Sequence, residues 1–185
     1  PYGGISSDAR TISWPPDQQV MMNIMGFQEA CASGITVRLS EEPPLDVRVP
    51  TVAGMALMKL ISWHDSYPQR PKDAEDLLFL MVHYADAGNI DRLFDDEPKL
   101  LEAEGFDTTL AGMRLLGRDM RAIANAETAQ TVQMILQEET DERRRCRLVI
   151  DMSKESRIAD RFDEALMKLK KLAQGFAEAR SGEAA

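Results

Sequence analysis

The spacing of apolar positions changes near residue 50. Before it, Ile35-Thr36-Val37-Arg38-Leu39 and Leu45-Asp46-Val47-Arg48-Val49 alternate in steps of two, the period of a strand with one apolar face. Ser40-Glu41-Glu42-Pro43-Pro44 joins them, which predicts a β-hairpin. Ahead of it, Val20 to Ala32 reads as a short helix, Trp14-Pro15-Pro16-Asp17 as a rigid loop, and Tyr2-Gly3-Gly4-Ile5 as a strand end with a turn. Beyond residue 50 the period becomes that of helices. Thr51 can cap an apolar helix over about 52–65. Pro71 suits the first turn of a second, running to about Ala87, with Gly88-Asn89 as its stop. From Asp107 onward Leu110, Met113, Leu116, Met120 and Ile123 recur at spacings of three and four, a third helix.

Two more helices follow, from about Glu127 to Glu139 and from about Lys154 to Arg180. The second carries an apolar stripe of Ile158, Phe162, Ala165, Leu169, Leu172 and Phe176, suited to packing on the rest of the domain or to a seam with a partner. Asp141 to Arg147 reads as a solvated turn, and Ser181 to Ala185 as a disordered tail. The expected fold class is α+β, mainly α: a hairpin followed by a helical bundle.

Composition agrees with a helical core. Eleven methionines stand against three tyrosines and two tryptophans, and 44% of the 185 residues are apolar, enough for one sizeable domain or two small ones sharing a core. A formal charge of −9 argues against a broad basic face wrapped by duplex DNA, while leaving room for a local basic groove. Cys31 and Cys146 have no metal or redox spacing, as expected of free thiols in a reducing cytoplasm. No apolar run is long enough to span a membrane and no signal-peptide pattern opens the chain, so a cytoplasmic protein is expected. The chain starts on Pro1, by removal of a methionine or because a segment precedes it.

The chemistry is concentrated around Lys59. It is the lone charge in the stretch Val49 to Trp63, and burying an ammonium is costly without an anion. Snorkelling of the ammonium into water is the alternative. Shortly after comes Arg70-Pro71-Lys72-Asp73-Ala74-Glu75-Asp76-Leu77, a helix start with Asp73 and Asp76 three apart on one face, where the helix dipole favours carboxylates. Plain capping is the alternative there, but Arg70 and Lys72 could orient Asp73. Together the two helices look like a site for a phosphate and a metal. His64-Asp65 invites a metallo-phosphohydrolase reading, which two histidines in all cannot support. Any metal would have oxygen ligands, which suits magnesium or manganese. Arg114, Arg118 and Arg121 share a helical face, and either pair with acids on a neighbour or form a rail for a triphosphate or a nucleic-acid backbone.

As an ordered set, Tyr2-Gly3-Gly4-Ile5, Trp14-Pro15-Pro16-Asp17, Met22-Asn23, Gly26-Phe27, Glu29-Ala30, Val49-Pro50, Gly54, Leu57 to Trp63, Lys72 to Leu77 and Gly117-Arg118-Asp119 resemble nucleotidyltransferases of bacteria and archaea. These are similar to the AbiEii/AbiGii-type toxin enzymes of the polymerase-β-like superfamily. The resemblance covers about residues 1–125. It implies Lys59 as the lysine that contacts nucleotide phosphates and Asp73 as the acid of a later signature. Arg70, Lys72, Asp76 and Arg118 would support nucleotide binding, with Asp65 and Arg70 in a loop able to close on substrate. It implies a nucleoside triphosphate with Mg2+, a transfer RNA or protein hydroxyl as acceptor, and a cognate antitoxin.

The family's Gly-Ser turn and metal-binding Asp-x-Asp are absent from this sequence. The chain is therefore expected to be the C-terminal part of such an enzyme, or an inactive relative, and by itself unable to perform magnesium-dependent transfer. On this reading residues 1–50 are the remnant of the nucleotidyltransferase sheet, 51–125 contact nucleotide, and 126–185 are C-terminal helices, with self-pairing to a homodimer as a way to cover an exposed sheet edge. The other reading, from a different class, is a non-catalytic helical interaction module assembled through the Ile158 to Phe176 stripe.

Overall fold

The structure, a computed structural model, describes residues 11–13, 21–154 and 160–178. The expected turn at Tyr2 to Ile5, the Trp14 to Asp17 loop, Ile158 of the stripe and the Ser181 to Ala185 tail lie outside the described residues.

Two short strands, β1 (Thr11–Ser13) and β2 (Met21–Asn23), pair antiparallel. Part of the helix expected over Val20 to Ala32 is thus strand, and only α1 (Phe27–Ala32) is helical. The break falls at Gly26, whose φ of 85° is a left-handed conformation that glycine adopts without strain. The hairpin is present as β3 (Ile35–Glu41) and β4 (Pro44–Val49), with Ile35 opposite Val49, Val37 opposite Val47, and a register shift between Arg38 and Ser40. Its polar side is clamped by Arg38, which pairs with Asp46 and, at 3.1 Å, with Glu41.

The rest is helical. α2 (Val52–Ser66) begins where the Thr51 hydroxyl accepts the Gly54 N–H at 3.1 Å. It buries Ala53, Ala56, Leu57, Leu60, Ile61 and Trp63. α3 (Lys72–Val82) buries Ala74, Leu77 and Met81 against it. It ends five residues short of the expected Ala87, because the chain rewinds into a wide turn over 85–89 in which Ala87 and Gly88 leave helical geometry. Two six-residue helices that periodicity did not predict follow, α4 (Ile90–Asp95) and α5 (Pro98–Ala103). Then come α6 (Thr108–Ile123), capped by Asp107, and α7 (Ala126–Thr140), capped by Asn125. α8 (Arg147–Ser153) was also unforeseen, and the last helix expected is described as α9 over Asp160–Glu178.

α6 and α9 cross at the centre of the core through two glycines. A Cβ on Gly175 would lie 1.8 Å from the Arg114 carbonyl oxygen, and one on Gly117 would lie 2.2 Å from that of Leu172. The close approach lets Leu116, Met120, Leu169, Leu172 and Phe176 become fully buried. The apolar stripe of α9 is therefore used within the protein's own core. Two of the three arginines of α6, Arg114 and Arg118, meet acids, as the first of their two readings has it, while Arg121 Nε is buried without a hydrogen-bond partner among the described residues. Arg114 pairs with Glu178 at 2.5 Å and Glu104 at 2.9 Å, and Arg118 with Glu97 at 2.7 Å and Glu178 at 3.0 Å.

Burial alone would favour neutral Glu178, but its hydrogen bonds with Arg114 and Arg118 prevail and hold its carboxyl below the usual value of 4.5. Its contribution to stability is therefore present above pH 4.5 and is lost as pH falls through the lowered value. Glu178→Gln is expected to flatten the acid limb of the stability profile in urea titrations run across that range. An unchanged slope would show that this carboxylate is not what acid titrates.

Candidate functional site

The two halves of the expected site come together across the α2–α3 pair. Lys59 points from the middle of α2 toward the start of α3, where its ammonium lies 2.8 Å from Asp73 Oδ1 and 2.7 Å from Asp76 Oδ2. The Asp73 side chain is only 3% exposed, while that of Lys59 is 33% exposed. The lysine is neither fully buried nor snorkelled away: its stem lies on the core and its head is fixed at the rim. Burial opposes its charged form, but hydrogen bonds and attraction to Asp73 and Asp76 overcome this and raise its pKa above the ordinary value.

Asp73 is held from two further sides. The Ser62 hydroxyl, one turn after Lys59 on α2, donates to Oδ2 at 2.9 Å. Arg70 Nε reaches the same oxygen at 3.0 Å. Arg70 is itself more than half exposed. Lys72 opens α3 and is exposed. Ser62 was not among the expected residues, although its place three after Lys59 puts it on the same face of α2.

The remaining candidates stand elsewhere. Asp65 belongs to the last turn of α2 rather than to a loop, beside His64 at 3.4 Å. That hydrogen bond raises the His64 pKa. Arg118 is engaged by Glu97 and Glu178 at the junction of α5, α6 and α9.

The end of α2 is braced from the C-terminal third of the chain. Trp63, fully buried, donates its indole N–H to Asp151 of α8 at 2.8 Å. Lys154 meets the other oxygen of that carboxylate at 2.5 Å. Tyr67 stands edge-on to Trp63, with ring centroids 5.5 Å apart, and the Arg147 guanidinium lies 4.7 Å over the Tyr67 ring. α8 thus anchors the start of the connection that carries Arg70.

A divalent metal can be tested against the donor set. Asp73 and Asp76 both face the Lys59 ammonium, and among the described residues no group of three or more His, Cys, Asp or Glu side chains could hold a metal. The described residues do not fit a resident metal. They fit an anion. An ammonium has three N–H donors, of which the two carboxylates take two. The third, with the largely exposed Arg70 guanidinium and the exposed Lys72, could meet an anion beside the pair.

Compared with known proteins, residues 2–168 match the family model described as nucleotidyl transferase AbiEii toxin, type IV TA system. No curated protein and no solved structure matches the chain. Among the described residues no helix is long and apolar enough to cross a membrane.

Proposed function

Because the chain belongs to the AbiEii nucleotidyl transferase toxin family, we propose that Lys59, Arg70 and Lys72 receive the phosphates of a nucleoside triphosphate and that the protein transfers its nucleoside monophosphate to an acceptor hydroxyl. In such a transfer the hydroxyl oxygen bonds to the α-phosphorus and gives up its proton to solvent water, the bond from that phosphorus to the oxygen bridging it to the β-phosphate breaks, and pyrophosphate leaves with the negative charge. Fixed cations at the phosphates stabilise that charge as it develops. The observation that carries the reading is the ammonium of Lys59, held at the rim of the core by Asp73 and Asp76 with one donor left over.

Asp73 and Asp76 are positioning residues in this scheme, and Ser62 and Arg70 fix Asp73 in turn. The carboxylates that hold a divalent metal would come from outside the described residues. The hairpin supports this view, since Ile35, Leu39, Leu45 and Val49 are 57%, 61%, 52% and 38% exposed, apolar surface that a further part of a nucleotidyltransferase sheet would cover. A transfer RNA or a protein hydroxyl as acceptor, and a cognate antitoxin as partner, accord with a toxin family of this type.

Calorimetry tests the reading. Lys59→Met is expected to lower affinity for magnesium-bound ATP about tenfold or more, as for loss of one charge-assisted hydrogen bond to phosphate. Equal affinity for wild type and variant would remove Lys59 from the nucleotide site.

A further inference from the structure

The six residues of α3 from Leu77 to Val82 are all apolar, yet a helix can turn only part of its circumference to a core. Leu77 and Met81 take the buried side, and Phe79 comes out at the surface, 63% exposed. Phe79 is not an isolated apolar residue. It packs against exposed His83 in a tilted contact, with ring centroids 4.4 Å apart and planes at 49°.

The position of this pair along the helix gives it meaning. Asp76, which holds the Lys59 ammonium, is three residues before Phe79 and seven before His83, so all three share one side of α3. Phe79 lies about 4.5 Å further along the axis than Asp76 and His83 about 10 Å. Helical side chains in general lean toward the N-terminus, which is the charged end of α3. Lys72 and Asp76, which holds the Lys59 ammonium of α2, therefore lie on the same side of α3 as the exposed aromatic surface.

We propose that Phe79 and His83 form a stacking platform for the base of the nucleotide whose phosphates meet Lys59, Arg70 and Lys72. This inference rests on the phosphate reading of Lys59 and adds the base subsite to it. A nucleobase suits the surface because every base presents a π face, and stacking on one aromatic side chain contributes measurably to affinity. Such a platform reads no hydrogen-bonding edge, so it accepts purine and pyrimidine nucleotides in order of stacking strength.

The experiment compares ATP with inorganic tripolyphosphate, both with magnesium, by calorimetry on the full chain. Phe79→Ala is expected to weaken ATP about tenfold while leaving tripolyphosphate unchanged, and Phe79→Trp to restore ATP. An unaltered ATP affinity in Phe79→Ala, with Lys59→Met still weakening both ligands, would overturn the platform and spare the phosphate site. Equal loss of both ligands in Phe79→Ala would also overturn it, since a base subsite does not act on tripolyphosphate. Failure of wild type to bind tripolyphosphate would instead remove the phosphate reading, and the platform with it.

Discussion

Gly175→Ala is expected to lower the thermal midpoint by about 6–12 °C, its new Cβ meeting the closest backbone contact among the described glycines. The new Cβ would fall 1.8 Å from the Arg114 carbonyl oxygen and 2.7 Å from its carbonyl carbon. Both are backbone atoms, so no side-chain rotation can relieve the clash. α6 and α9 would have to move apart, loosening Leu116, Leu169, Leu172 and Phe176, all of them fully or almost fully buried. Overpacking of this kind costs about 3 kcal/mol. Each kcal/mol shifts the midpoint of a chain of this size by roughly 2–4 °C. Gly117→Ala meets Leu172 O at 2.2 Å and should behave alike, whereas Gly105 faces open space and its φ of 64° makes alanine there a matter of local strain only. A scanning-calorimetry midpoint for Gly175→Ala within two degrees of wild type would contradict the helix crossing.

Removal of the Asp73 carboxylate is the second large effect. Asp73→Ala deprives Lys59, Ser62 and Arg70 of one shared acceptor that is 3% exposed. Lys59 keeps Asp76 and is one-third exposed, so the loss should fall short of that for a wholly buried pair, at about 2–3 kcal/mol. The double variant Asp73→Ala with Lys59→Met is expected to lose less than the two single losses added together, because each partner is harmful chiefly when left without the other. Denaturant titrations of the four proteins close the cycle. Strict additivity would mean that the two side chains do not cooperate in holding the α2–α3 pair.

The contrast between Asp73 and Ser62 shows how far local pattern reaches. Asp73 and Asp76 could be read because a charged helix start three residues deep, following an apolar helix with one lysine, leaves few other partners for that lysine. Ser62 makes an equally direct contact, but one hydroxyl on a helix face carries no periodic or charge signal. The bond between Trp63 and Asp151 is less visible still, as the two lie 88 positions apart. In the fold, β3, β4, α2, α6 and α7 are long enough for their period to show. α4, α5 and α8 have only six or seven residues each, too short for a stripe to repeat, and α8 follows a run of arginines that reads as solvent-facing. The end of α3 was misplaced for a related reason: its apolar run continues past Met81, so periodicity gave no warning that the chain rewinds at 85–89.

The bond from Trp63 to Asp151 also imposes an order in time on a growing chain. Ribosomes add about 5–20 residues per second, so 88 residues separate the synthesis of the two partners by roughly 4–18 s. For that interval the nascent polypeptide carries Lys59, Asp73 and Asp76 without the helix that braces the end of α2. The brace on the end of α2 therefore forms only after every member of the charged cluster it supports has been synthesised.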